Sequence, residues 1–351
     1  MQRVSEKLLE QLSKDESISI HADVQQTSWN HIVLKTTGFI VQELFSILFK
    51  IKKYNADIVV FSSMVTGSLS VALRRFTSVP MVTLSHGHDV TLEVDIYQWL
   101  VPKIFKHIDT VISVSEATRQ ECLNRGLLPE KSVVIPNGCE LPEINPSHTT
   151  TDAKKELEKR LKCTIGDKKV ILTVGRLIKR KGHARFITEV LPKIEHNCFY
   201  LIVGGGNEAG NIKELISQYD GEHTIHMAGK LSEELLDLSY RSADVFAMPN
   251  VSVPGDLEGF GIVLLEANSY GIPTVATKIE GIQDVISDGE SGYLISENNT
   301  DEFASKIDFI LRQKDSNLRK SSRNYVEKNF SWEKVGQVYK DFFKSVIEKT
   351  R

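Results

Sequence analysis

At 351 residues the chain is long for one domain and comfortable for two. Hydrophobic residues make up 41% and charged residues 25%, an ordinary globular balance, and the formal net charge of −3 argues against a generally basic nucleic-acid binder. No run reaches the roughly 20 apolar residues a membrane span requires, no apolar leader follows Met1-Gln2-Arg3-Val4-Ser5-Glu6, and Cys122, Cys139, Cys163 and Cys198 form no CxxC pair and no metal-ligand spacing. These features predict a reducing, cytoplasmic setting.

In chain order, Val4, Leu8, Leu9 and Leu12 line one face of a helix from Arg3 to about Lys14, and Ile18-Ser19-Ile20 reads as a short strand. Thr37 to Lys53 is a strongly apolar helix ending in Lys50, Lys52 and Lys53. It reads first as a helix buried against a sheet. A second reading is a surface that rests on a membrane leaflet, helped by Arg74 and Arg75. From Asp57 short apolar strands alternate with helices: strand 58–61, helix Ser68 to Phe76, strand 81–84, helix Tyr97 to His107, strand 110–113, helix Glu116 to Arg125 and strand 132–135. That alternation predicts a parallel sheet covered on both faces.

Pro136-Asn137-Gly138 ends this half, and residues 141–168 turn polar, with a charged helix from Asp152 to Leu161. The alternation then resumes with strands at 170–174, 199–203, 224–226, 244–248, 274–276 and 293–295, and helical patterns cover most of Thr300 to Lys349. The expected fold is α/β, with two doubly wound Rossmann-like domains facing a cleft. The expected boundaries are a first domain over 1–140, a linker with its charged helix over 141–168, a second domain over 169–330 and a final helix over 331–351. In such sheets ligands sit beyond the carboxyl ends of the strands.

The loops at those ends carry the candidates. Gly175-Arg176-Leu177-Ile178-Lys179-Arg180-Lys181-Gly182 sets Arg176 and Lys181 five positions apart, positive charge suited to a diphosphate. Gly204-Gly205-Gly206 is a turn with close backbone approach but without GxGxxG spacing, and Gly229-Lys230-Leu231 is a modest loop signal. In the first half, Ser85-His86-Gly87-His88-Asp89 places His86 at a strand's carboxyl end, as a ligand contact or as a satisfied structural histidine. The most informative stretch is Glu258-Gly259-Phe260-Gly261-Ile262-Val263-Leu264-Leu265-Glu266. Glu258 falls in a loop, Gly261 opens a helix and Glu266 lies within it. Free N–H groups at that helix start suit a phosphate. Eight helical residues would separate the two glutamates by about 12 Å, too far for a retaining hydrolase pair at about 5 Å. They read better as two contacts to one elongated ligand.

Taken together, SHGHD at 85–89, SEAT at 115–118, IPNG at 135–138, GRLIKRKG at 175–182, VGGGNE at 203–208 and EGFGIVLLEANSYGIPTVAT at 258–277 resemble the retaining nucleotide-sugar glycosyltransferases of family 4 (glycosyl transferases group 1), which have the GT-B fold. GIQDVISDGESGYLI at 281–295 and Phe330-Ser331-Trp332 resemble family segments as well. The resemblance implies transfer of a sugar from a nucleoside diphosphate to an acceptor hydroxyl with retention, in polysaccharide or lipopolysaccharide synthesis. It implies that Arg176 and Lys181 hold the diphosphate, Glu266 the ribose, and Glu258 the transferred sugar. Gly259, Phe260, Gly261 and Ile262 would present backbone amides to the donor, and Gly229, Lys230 and Leu231 would lie by the base. His86 would sit on the acceptor side of the reacting carbon. No metal and no cofactor beyond the donor are expected. The implied partners are a glycan or lipid-linked glycan acceptor and no nucleic acid, with a peripheral position on the inner face of the cell membrane.

Family members usually open with a strand and a glycine-rich loop. Here Met1-Gln2-Arg3-Val4 already lies in what resembles the first helix. That departure reads either as a truncated sequence or as a degenerate first domain lacking its first strand, and it predicts reduced or no transfer, with nucleotide binding kept by the second domain. It favours a second reading, a non-catalytic nucleotide-sugar-binding or assembly subunit; a third, within the same architecture, is a sugar-nucleotide epimerase, against which the acceptor-side His86 and the Glu258–Glu266 spacing argue.

Overall fold

The computed structural model describes residues 2–23, 32–143, 149–313 and 316–350; within them, the side chains of 2, 32–41, 316 and 350 lie outside the description, as do residues 144–148 of the linker. The chain divides into two units, Met1–Gly138 with Trp332–Arg351, and Cys139–Ser331.

The first unit runs α1 (Gln2–Ser13), α2 (Ile32–Tyr54), β1 (Val59–Phe61), α3 (Met64–Gly67), α4 (Ser70–Leu73), β2 (Met81–Ser85), α5 (His88–Thr91), α6 (Asp95–His107), β3 (Thr110–Ser113), α7 (Glu116–Asn124) and β4 (Ser132–Val134). Its strands form one parallel sheet in the order β1-β2-β3-β4. Met64, Leu73, Met81, Ile104, Ile108 and Val111 are fully buried beneath the helices, the expected result of apolar strands in a parallel sheet.

Two local expectations need correction. The helix read over Ser68 to Phe76 starts earlier and breaks in two. Ser63 caps Met64–Gly67 in a capping box with Thr66, and Ser70–Leu73 follows. Ile18–Ile20 forms no strand. The Asp15 carboxylate accepts from Ser17 and the Asp15 carbonyl from the Ile18 N–H, closing a turn. The following segment is then held by side chains against the end of α2: His21 stacks on Tyr54 at 3.5 Å and Asp23 pairs with Lys50.

The second unit runs α8 (Thr150–Leu161), β5 (Lys169–Val174), α9 (His183–Arg185, continued by a wider helical turn through Val190), β6 (Cys198–Val203), α10 (Ala209–Gln218), β7 (Thr224–Gly229), α11 (Glu233–Ser242), β8 (Val245–Met248), α12 (Ile262–Ser269), β9 (Thr274–Thr277), β10 (Gly292–Ile295), α13 (Thr300–Arg312) and α14 (Ser316–Phe330). Its six strands are all parallel, in the order β10-β9-β8-β5-β6-β7. β5 therefore pairs with both β6 and β8, and the strand order reverses beside it. The charged helix of the 141–168 segment, α8, packs within this unit against α11. Ala153 and Leu157 are buried, Arg160 forks onto Glu234 through two bonds of 3.0 Å, and Lys154 reaches Asp244 at 2.6 Å.

The closing helix α15 (Trp332–Thr350) belongs to the first unit, where it packs along α1. Lys340 reaches Asp15 at 3.6 Å, and the Trp332 ring covers Gly138. A Cβ on Gly138 would lie 2.4 Å from that ring. Gly138→Ala is therefore expected to destabilise the first unit by about 1–3 kcal/mol through overpacking, measured as a lower urea midpoint with an unchanged slope.

Candidate functional site

Parallel strands deliver all their following loops to one edge of the sheet. At the edge of the second unit where the order reverses, the loop 175–182 leaves β5 and the loop 249–261 leaves β8. A crevice at such a switch point is where open α/β sheets bind ligands.

Residues Lys179–Lys181 form one tight three-residue turn. Three residues per turn point successive side chains in three directions, so Lys179 is exposed, Arg180 is buried and Lys181 is half-buried. Arg180 and Lys181 both converge on Oε2 of Glu258, and Asn250 Nδ2 donates to the same oxygen at 2.8 Å. Arg180 also donates to Asp256 at 3.0 Å. Among the described residues none donates to Glu258 Oε1. Burial would raise the Glu258 carboxyl, but Lys181 and Arg180 outweigh it and hold the pKa at about 2. Burial lowers Lys181, partly offset by Glu258, whereas the Glu258 and Asp256 charges carry Arg180 upward against its own burial.

Glycines let the loops lie against one another. Gly182 has φ 66°, and a Cβ there would fall 1.8 Å from the Pro249 carbonyl oxygen. The close approach read for Gly204-Gly205-Gly206 is to the chain's own 175–177 loop. A Cβ on Gly204 would meet the Gly175 carbonyl at 1.8 Å, and the Leu177 N–H donates to Gly205 at 3.0 Å. Gly281 lies likewise on Gly259, and its N–H donates to the Glu258 carbonyl at 3.1 Å.

The remaining candidates spread around this cluster. Arg176 is exposed just past β5. Gly261, with φ 74°, caps the start of α12, and Glu266 follows within that helix, half-buried and accepting from Tyr240 Oη at 2.8 Å. The Tyr240 ring stacks on Tyr270 at 5.1 Å. Gly259 and Phe260 are buried between the two glutamates, and Ile262 opens the helix half-buried. Gly229 ends β7 with φ 71°, its carbonyl accepts from the Gly204 N–H at 2.8 Å, and the Lys230 stem lies against Gly205; Leu231 is half-buried beside them. Arg180 is the buried cation of the cluster that motif reading passed over. The signal was the Lys-Arg-Lys run, in which a tight turn forces one of three cations inward.

His86 belongs to the first unit. Its ring Nε2 lies 3.0 Å from the Ser62 carbonyl and must carry the proton there, leaving Nδ1 as an acceptor. Burial lowers its pKa, so the ring is neutral at pH 7. Buried Asp89 organises the turn, accepting from the backbone N–H of His86 at 2.7 Å and of Met64 at 2.9 Å.

Removing one partner of a buried ion pair leaves the other charge uncompensated. Glu258→Gln is expected to destabilise the second unit by about 3 kcal/mol, read by chemical denaturation at pH 7. A depressed carboxyl pKa stabilises above the unfolded value. The wild-type advantage over this variant is therefore full above about pH 5 and fades as the pH falls from there toward about 2.

The family model "Glycosyl transferases group 1" matches residues 155–329, and "Glycosyltransferase Family 4" matches 10–142. An uncharacterised glycosyltransferase of Methanocaldococcus jannaschii is 30% identical over 247 residues, which are 68% of this chain and 60% of that protein. A GDP-mannose-dependent alpha-(1-6)-phosphatidylinositol monomannoside mannosyltransferase of Mycolicibacterium smegmatis is 27% identical over 75% of this chain and 69% of its own. Among solved structures, Anabaena HepE in complex with UDP superposes with a TM-score of 0.73 at 19% identity, covering 86% of this chain and 82% of that one. Two family models and the shared architecture place this chain among the glycosyltransferases of the GT-B fold.

Proposed function

We propose that the chain transfers a sugar from a nucleoside diphosphate donor to an acceptor hydroxyl with retention of configuration, in the synthesis of a cell-surface polysaccharide or lipopolysaccharide. The observation that carries this reading is the Glu258–Arg180–Lys181 cluster at the strand-order reversal of the second unit, beside the start of α12. Glu258 Oε2 is anchored by the protein, and Oε1 is left to meet sugar hydroxyls. Glu266 takes the ribose. Arg176, Lys181 and the amides of Gly259–Ile262 take the diphosphate, where the helix start favours negative charge. Gly229, Lys230 and Leu231 lie by the base. No metal ion is called for in this arrangement.

In the reaction the bond from the anomeric carbon to the diphosphate oxygen breaks, and the acceptor oxygen bonds to that carbon on the same face. A phosphate oxygen takes the acceptor proton, and the nucleoside diphosphate leaves. The cations stabilise charge that grows on the leaving group. Neutral His86 orients the acceptor side through hydrogen bonds, not as an acid. Relatives support the class of reaction: the mycobacterial protein is named for GDP-mannose, an Erwinia amylovora one for amylovoran biosynthesis, and HepE is solved with UDP.

A thermal-shift screen with UDP, GDP and ADP tests donor binding. A matching diphosphate at 100 times its Kd should stabilise the protein by about 2.7 kcal/mol, and Glu266→Ala should abolish the shift. Release of diphosphate from a nucleotide sugar only when acceptor extract is added marks a transferase. An epimerase releases none on acceptor addition, and a binding subunit releases none at all.

We further propose that the first unit rests on an anionic membrane surface. No described helix is long and apolar enough to cross a membrane. Yet α2 packs on α4 and α4 on α6, and these helices with the turn after α4 expose Phe45 (71%), Phe49 (65%), Phe76 (67%), Ile96 (75%) and Trp99 (64%). Lys53 lies over Phe49 and Tyr54, and Lys103 over Trp99, so cations frame the apolar groups. Arg75 is exposed, whereas Arg74 is tied to Asp109 and the His107 carbonyl and is not available. Phe49→Glu with Trp99→Glu should reduce co-sedimentation with phosphatidylglycerol vesicles at least about tenfold. Equal sedimentation of variant and wild type would rule this surface out.

A further inference from the structure

Three described non-glycine residues have positive φ: Asn55, Lys162 and Glu280. Asn55 and Lys162 follow the ends of α2 and α8, where a left-handed residue commonly closes a helix. Glu280 has no such reason. It stands at φ 46° where the chain enters a short turn after β9, a position that glycine fills without strain.

What the glutamate supplies is its side chain. Glu280 Oε2 accepts the backbone N–H of Glu258, and the next residue's N–H donates to the Glu258 carbonyl at 3.1 Å. Both backbone polar groups of Glu258 are thus held by residues 280 and 281, while its carboxylate is held by Arg180, Lys181 and Asn250. The charged groups that act on Glu280 are Arg180, Glu258 and Asp256.

We propose that Glu280 is a positioning residue: its carboxylate, delivered by a strained backbone, clamps the Glu258 peptide and fixes the 258–261 turn for the donor sugar. The donor part rests on the function proposed above; the clamp does not. Burial raises the Glu280 carboxyl, its bond from Glu258 N–H opposes that, and the clamp weakens as the group protonates on acidification.

Two variants test the proposal. Glu280→Gly removes strain and carboxylate together. Glu280→Gln keeps the shape and an acceptor oxygen while removing the charge. In the free protein, Glu280→Gly should speed hydrogen exchange at the 258–261 amides by about 10–100-fold, the loss of one charge-assisted bond, with a melting temperature within a few degrees of wild type. Glu280→Gln should change it less. With UDP, and with UDP-glucose in the presence of acceptor extract, Glu280→Gly should keep UDP binding and lower the kcat of UDP release about tenfold or more. Glu280→Gln should turn over at the reduced rate that wild type reaches at the foot of its acid limb, and should show no such limb itself. Unchanged exchange in Glu280→Gly, or an equal loss of melting temperature and UDP binding in both variants, overturns the clamp. Faster exchange in a protein that binds none of UDP, GDP and ADP upholds the clamp and overturns the donor reading.

Discussion

One carboxylate organises the loop edge of the second unit where the strand order reverses. Glu258 is buried, and a buried anion is tolerated only where cations and donors meet it. Here they come from chain segments far apart in sequence: Arg180 and Lys181 after β5, Asn250 after β8, and Glu280 with Gly281 after β9. Each group needs the others. Without Glu258, Lys181 loses its carboxylate partner and Arg180 keeps only Asp256, and without the cations Glu258 could not stay ionised at that depth. Such a cluster is weak evidence for net stability. Its stronger consequence is geometric, because three loops are tied to a single oxygen and one peptide.

The glycines of the same edge serve that geometry. Gly182, Gly204 and Gly281 each occupy a place where a Cβ would penetrate a carbonyl of a neighbouring loop. The loops are thereby packed backbone on backbone beneath the site. A site preorganised in this way can spend ligand interactions on the reaction and not on ordering itself. Glu280 is the exception in this set, a side-chain-bearing residue where glycine would be comfortable, and its carboxylate is what distinguishes it.

The first unit solves a different problem with the same sheet logic. Asp89 ties the turn after β2 to the start of α3, and His86 is held neutral against the Ser62 carbonyl. On its helices, α2 sends Leu44, Ile47 and Leu48 inward against the core and leaves Phe45 and Phe49 outside. One face of α2 therefore meets the core, as its buried reading expected, and the opposite face is exposed.

Much was legible in the residues alone. Alternating apolar strands and amphipathic helices dictated two parallel α/β units, because a strand buried on both faces leaves that pattern regardless of context. The strand-end loops, the Gly261 helix start and the Glu258–Glu266 stretch stood out for the same reason: backbone demands of turns and caps are local. What only the tertiary structure decided was non-local. Whether Ile18–Ile20 pairs with a neighbour depends on which edge is near, and side-chain packing against α2 prevailed. The glycine run at 204–206 announced a close approach, but only folding showed that its partner is the 175–177 loop. Arg180 looked like one more solvated cation among Lys179 and Lys181, and the strain at Glu280 left no mark in the sequence at all. Both depend on Glu258, some twenty to eighty positions away, and an interaction across that span exists only once the sheet has brought its strand ends together.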